Sequence, residues 1–158
     1  MFLNKYEYQQ VMNEIPDFEL SYESTSHKKV HKHDFLFAIP EGTKHLAWFT
    51  TLHAQNICVF AELNSHNKIT KINTRYAVCF DTKLSYGTLL YGTLFEYDSK
   101  LFFTTEDIIY YKGENIYSQS LIQRLNILEI MYKYEIRQVS YFKNNVIMGL
   151  PIIHTNYQ

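Results

Sequence analysis

The sequence predicts an α+β fold: a twisted antiparallel β-sheet with a short N-terminal helix and one amphipathic helix after the main meander. Between Asp34 and Asp107, short apolar and aromatic runs alternate with turns rich in Asn, Ser, Asp and Gly, the pattern of an antiparallel meander. One segment before that stretch and one after it begin with capping signals. No internal repeat or low-complexity linker divides the 158 residues, so one domain of ordinary size is expected over 1–158.

The elements follow in order. "NKYEYQQVMNEI" predicts the opening helix, with Asn4 and Glu7 as its capping box and Pro16 as its stop. "SYESTSHKKVHKH" is polar and reads as a loop or an edge strand. His27, His31 and His33 lack a Cys or carboxylate at structural-zinc spacing, so a solvated basic loop is expected in place of a metal site. "FLFAI" and "KHLAWFTT" predict two strands joined tightly through "PEG". "NICVFAEL", "KITKI", "RYAVCF", "TLLYGTLFEY" and "LFFTTEDIIYY" continue the series, with "NSHN" and "DSK" as turns. Gly92, inside a strand pattern, predicts a bulge or a close backbone approach.

The second helix is capped by Ser120, with Gln123 as its box partner, and ends near Tyr134. Leu121, Leu125, Leu128 and Tyr132 form its apolar stripe, widened by Ile122 and Ile130. "IRQVSYFKNNVIMGLPII" predicts one or two further strands.

Composition bounds the function. Hydrophobic residues are 46% and charged residues 20% of the chain, a globular mix. A chain of this length buries about two thirds of its unfolded surface and needs no staples. The net charge of −1 supplies no global attraction to nucleic acid or to acidic membranes, so any such contact needs a local patch. Most of the fourteen tyrosines read as half-buried strand residues. Cys58 and Cys79 lie in apolar strand-like runs without metal spacing, so both are expected as buried thiols in a reducing compartment. No signal peptide and no membrane-length apolar run is visible, which predicts a cytosolic or nuclear protein and no membrane partner.

No G-x-S-x-G elbow, H-E-x-x-H pair or G-K-S/T phosphate loop is present. What remains is an ordered series: "IPEGTKHL" between two strands, then "TLLYGTLF", then "TTEDIIYYKGENI", then "SLIQRLNILEI". Its order and spacing resemble the covalent nucleotidyltransferase superfamily of mRNA capping guanylyltransferases and DNA and RNA ligases. They resemble most closely the superfamily's non-catalytic cap-binding relative, snurportin. The resemblance covers roughly residues 34 to 130 and implies a nucleotidyltransferase/ATP-grasp-like half, with its core over about 34–134.

In those enzymes a K-x-D-G-x-R motif carries the lysine that attacks the nucleotide α-phosphate. Laid on this chain, Gly42 matches the Gly, Lys44 the Arg and Glu41 the Asp, while Ile39 stands at the nucleophile. An isoleucine cannot attack phosphorus, so the resemblance implies loss of the covalent step. In "LLYGTLF" Gly92 is kept, but Tyr91 and Thr93 replace the two acids of D-G-E. "EDII" and "KG" supply Asp107, Ile108 and Gly113 of the F-D-I-L strand and its glycine turn; "IQRL" supplies Arg124 and Leu125 of the E-R-L helix. The family's later D-G-ϕ-ϕ-F strand and its late Lys- or Trp-bearing strand have no match before Gln158.

The candidate nucleotide-binding residues are therefore Glu41, Lys44, Trp48, Tyr91, Asp107, Tyr111 and Lys112. Lys44 would contact phosphate, with a solvated strand lysine as the alternative. Glu41 would bond a ribose or guanine edge, or remain a turn carboxylate. Trp48 shares a face with Lys44 and is the strongest stacking residue, with a core position as the alternative. Tyr91, Tyr110 and Tyr111 are further stacking candidates; Tyr110 and Tyr111, as strand neighbours, point to opposite faces. Asp107 would cap a turn or pair with a lysine sooner than hold magnesium, and Arg124 is expected on the solvated face. No metal and no cofactor is expected. The implied function is non-catalytic recognition of an RNA 5′ cap or guanine nucleotide. The alternatives are an interaction or scaffold subunit of a capping or translation complex, and an active transferase using Lys44 or Lys112 as a displaced nucleophile.

Overall fold

The computed structural model describes residues 3–20, 35–139 and 141–155; the histidine-rich segment 21–33 lies outside the described residues. Helix α1 (Lys5–Glu14) begins in the expected capping box: Asn4 Oδ1 accepts from the Glu7 N–H at 2.8 Å, and Glu7 accepts from the Asn4 N–H at 3.3 Å. Pro16 forces the residue before it out of the helical region, and Ile15 is extended. Four strands follow: β1 (Phe35–Ala38), β2 (Thr43–Leu52), β3 (Gln55–Leu63) and β4 (Ile69–Asn73). After a short β5 (Cys79–Phe80) and a 3-10 turn (Thr82–Tyr86) come β6 (Thr88–Tyr97), β7 (Lys100–Tyr111) and β8 (Glu114–Asn115). Helix α2 (Leu121–Tyr134) precedes β9 (Ile136–Arg137), β10 (Val146–Gly149) and β11 (Ile152–Thr155). Ser120 and Gln123 form the second capping box as expected.

The central sheet runs β10-β7-β6-β2-β3-β4, with β8 added to β7. Every pairing in it is antiparallel except β10 beside β7. The protein is thus α+β, a mostly antiparallel sheet with one helix near its N-terminus and one later. Side-chain alternation divides the core into two layers. On one face Leu46, Trp48, Val59, Leu89 and Ile109 pack with Val11 and Ile15 at α1. On the other Phe49, Phe60, Leu90, Phe103 and Ile108 pack with Leu128 and Met131 of α2. Gly92 is the predicted bulge: Tyr91 pairs with Asp107 but Gly92 pairs with Thr105. A Cβ on Gly92 would lie 2.1 Å from the Thr104 carbonyl oxygen, so no other residue fits.

Several expectations are corrected. β1 does not join β2 in the meander; it pairs with β11 in a separate ribbon. In "RYAVCF" only Cys79 and Phe80 are strand, and they pair with β9. Cys79 is exposed, because this two-residue strand lies outside the central sheet; Cys58, at the centre of β3, is buried as expected, and burial pushes its thiol pKa well up. Ile122 and Ile130 do not widen the buried stripe of α2; both are exposed, since α2 turns Arg124, Leu128 and Met131 inward.

Candidate functional site

Strand alternation places Lys44, Leu46 and Trp48 on the α1 side of β2, and the same face of β6 carries Tyr91 and Thr93. The bulge at Gly92 leaves Glu106 as the extra residue of β7, and its carboxylate is brought to the same spot. The Lys44 ammonium lies 2.8 Å from each Glu106 oxygen and 2.9 Å from Thr93 Oγ1. Thr93 in turn donates to Glu106 Oε2 at 2.8 Å. An ammonium has three donors, and all three are engaged. The Lys44 side chain is 36% exposed, whereas that of Glu106 is 3% exposed. The ring of Tyr91 lies beneath, its centroid 5.7 Å from the Lys44 nitrogen. Burial, then the Glu106 charge, pushes the Tyr91 phenol up to about 12.

Trp48 lies further along the same face, as its spacing from Lys44 predicts, but inside the core at 7% exposure. Its Nε1–H is buried without a partner. Its ring edge lies 3.2 Å from where a Cβ on Gly87 would stand. The indole is thus a core residue of the α1 layer.

Asp107 faces the opposite layer. Its Oδ1 accepts from Arg124 Nε at 2.8 Å, and Arg124 also donates to the Tyr117 and Gln119 carbonyls. Arg124 is 9% exposed, so the expected solvated position is corrected: its place on the inner stripe of α2 carries the guanidinium to the sheet. The partner of Asp107 is accordingly an arginine and not a lysine. Burial pushes the Asp107 carboxyl up, against the pull of Arg124.

Lys112 and Tyr111 form a third cluster. Lys112, in the left-handed region at φ 50°, pairs with Glu135 at 2.5 Å and lies over the Tyr111 ring; Tyr111 donates to the same carboxylate. The Glu135 contact raises the Lys112 pKa and holds the amine protonated. Tyr110 and Tyr111 do part to opposite faces, Tyr110 to the α1 layer and Tyr111 to the α2 layer. Lys112 donates its backbone N–H to Thr88, which stands five residues before Thr93. The two lysines are therefore separated by about 17 Å along β6, at about 3.4 Å per residue.

Glu41 is exposed and lines an open groove of about 510 Å³ with His45, Glu62, Lys71 and Tyr76. Burial lowers the pKa of His45 there. Since Phe60 and Leu94 of the α2-side core also line it, this groove opens on the face opposite Lys44. The seven candidates thus fall into separate places: Lys44 with Tyr91, Trp48 in the core, Asp107 on the other face, Tyr111 with Lys112, and Glu41 alone.

Sequence reasoning missed Glu106 and Glu135, the two carboxylates that neutralise the candidate lysines. The "TTED" run is the available signal for the first, because adjacent acids on a strand serve opposite faces. Among the described residues no group of three or more His, Cys, Asp or Glu could hold a metal ion. No helix among them is long and apolar enough to cross a membrane. No known protein family matches the chain, and no curated protein is significantly similar to it.

Proposed function

We propose that the chain is a non-catalytic binding module on a nucleotidyltransferase-like sheet, acting as an interaction or scaffold subunit of an RNA-handling assembly such as a capping or translation complex. The observation that carries this reading is the closed loop of Lys44, Thr93 and Glu106. A phosphate arriving at Lys44 finds every ammonium donor engaged and meets a buried carboxylate directly behind it, an unfavourable approach for an anion. Ile39 at the nucleophile position and the paired state of Lys112 leave no free amine to attack phosphorus among these candidates. Incubation with α-labelled GTP or ATP and magnesium is expected to leave no acid-labile adduct. Titration with 7-methyl-GTP, GTP and ATP to millimolar concentration is expected to leave Trp48 fluorescence unchanged.

A second reading is recognition of an RNA 5′ cap or guanine nucleotide. The retained order of Gly42, Gly92, Asp107 and Gly113, and the partial exposure of Lys44 above Tyr91, favour it. Saturable quenching of Trp48 that disappears in Lys44→Met would establish this reading and overturn the first.

A further inference from the structure

The turn between β9 and β10 carries a feature that neither reading uses. Tyr141 is 88% exposed and Phe142 72% exposed, and they are consecutive. A turn with no other task favours small polar residues; here two large aromatic planes are held in water. The backbone that carries them is hydrogen-bonded. Phe142 donates its N–H to Asn145 Oδ1 at 2.9 Å and accepts from the Asn145 N–H at 3.0 Å. Asn144 is tied to the 75–77 segment through its side-chain amide on the Arg75 carbonyl, 2.8 Å, and its carbonyl on the Ala77 N–H, 2.9 Å. Ala77 accepts from Val146 at 2.9 Å.

The next two residues of the same turn, Lys143 and Asn144, line a groove of about 500 Å³ together with Arg75, Tyr76, Glu96 and Leu101. A lysine, an arginine, an amide side chain and a tyrosine thus border this groove, and the two exposed aromatics immediately precede its Lys143 and Asn144 in the same turn. We propose that this groove and the 141–144 turn form a binding site for single-stranded nucleic acid. Unpaired bases stack on Tyr141 and Phe142, and an adjoining phosphate meets Lys143. Every base has a π-face, so stacking is tolerant of sequence, and the lysine meets the backbone. Pre-ordering of the turn lowers the entropy lost on binding. Glu96 accepts from the amino edge of a base and repels phosphate, which confines the backbone to the Lys143 side. A protein partner's apolar side chains would find only Tyr76 and Leu101 in this groove, which is why a nucleic acid is favoured. The chain's net charge of −1 makes the site local and its affinity modest. The proposal stands apart from any mononucleotide site at Lys44.

The test is fluorescence anisotropy of the full chain with labelled twelve-nucleotide oligo(U), oligo(dT) and a duplex of equal length. Single strands are expected to bind with a log–log salt slope of about −0.7, from the Lys143 contact, falling toward zero in Lys143→Gln. Tyr141→Ala and Phe142→Ala are each expected to weaken binding about fivefold or more. Tyr134→Ala, which removes an equally exposed aromatic of α2, is expected to leave it unchanged. The relative strength of the oligo(U) and oligo(dT) arms assigns the site to RNA or to DNA. All these variants are at exposed positions, and unchanged melting curves verify folding. The proposal is overturned if no strand binds at about 100 µM protein, if the duplex binds as well as the single strands, or if the aromatic variants bind like the parent. It is equally overturned if those variants abolish binding to a protein while no strand binds. Binding of 7-methyl-GTP without binding of oligonucleotides sinks this proposal alone and leaves the second functional reading standing.

Discussion

Glu106 and Asp107 are neighbours on β7, yet they serve opposite faces of the sheet in different ways. Asp107 meets Arg124 in the α2 layer, where both side chains are buried and the guanidinium is also bonded to two backbone carbonyls. Glu106 meets Lys44 at the partly open margin of the α1 layer, where the ammonium keeps contact with water. The first pair ties a helix to the sheet. The second closes the spot where the family resemblance implies a phosphate. The comparison teaches that acids adjacent in sequence are separated by strand alternation and then assigned by burial, one to architecture and one to the neutralisation of a candidate site.

The largest expected effect tests the buried pair. Arg124→Met leaves Asp107 charged and unpaired in the core and is expected to lower stability by about 3–5 kcal/mol in urea unfolding. Replacing both partners, Arg124→Met with Asp107→Leu, is expected to lose less than the single change, because no charge is then stranded. If the single change is as mild as a surface substitution, the architectural role fails. Lys44→Met also strands a carboxylate, but Thr93 still donates to it and water is near, so about 1–2 kcal/mol is expected. A loss equal to that of Arg124→Met would erase the contrast between the two faces.

The third prediction concerns Tyr91, beneath Lys44. Its phenol is pushed from the ordinary 10 to about 12, so the folded chain holds the proton where the unfolded chain has released it. The associated stability is complete below the unfolded value and is lost as pH rises through about 12. Unfolding midpoints of Tyr91→Phe are therefore expected to fall less steeply than those of the parent between about pH 10 and about pH 12. Parallel curves would remove the claim that Tyr91 is desolvated beside Glu106. Ser120→Ala should cost about 1 kcal/mol by removing the α2 cap on the architectural side. The smallest effect is expected for Ile130→Lys, within about 0.5 kcal/mol, because that isoleucine faces water; a large loss would show that the outer face of α2 is packed.

The legible features were local. Both capping boxes, the stop at Pro16, the bulge at Gly92 and the hairpin turn before Lys100 depend on residues within a few positions of one another, and all were read correctly. The shared face of Lys44 and Trp48 followed from the period of a strand. What a local pattern does not carry depends on distant partners. β1 finds β11 across the length of the chain, and β10 runs parallel to β7. Arg124 is drawn inward by an acid that alternation alone did not assign to the helix side. Trp48 was placed on the correct face, but α1 covers that face, and a strand pattern does not say what lies above it.

By itself, then, the sequence determined the α+β class, the two capped helices, the order of the strands in the chain and the absence of an amine at position 39. These follow from short-range sterics, hydrogen bonding and side-chain chemistry. Only the tertiary structure decided that Lys44 is closed by Glu106 and Thr93, that Lys112 is held by Glu135, and that the candidate residues stand on different faces. A charge is neutralised or left available according to what desolvates it and what lies within about 4 Å, and those neighbours come from strands and helices far apart in the chain.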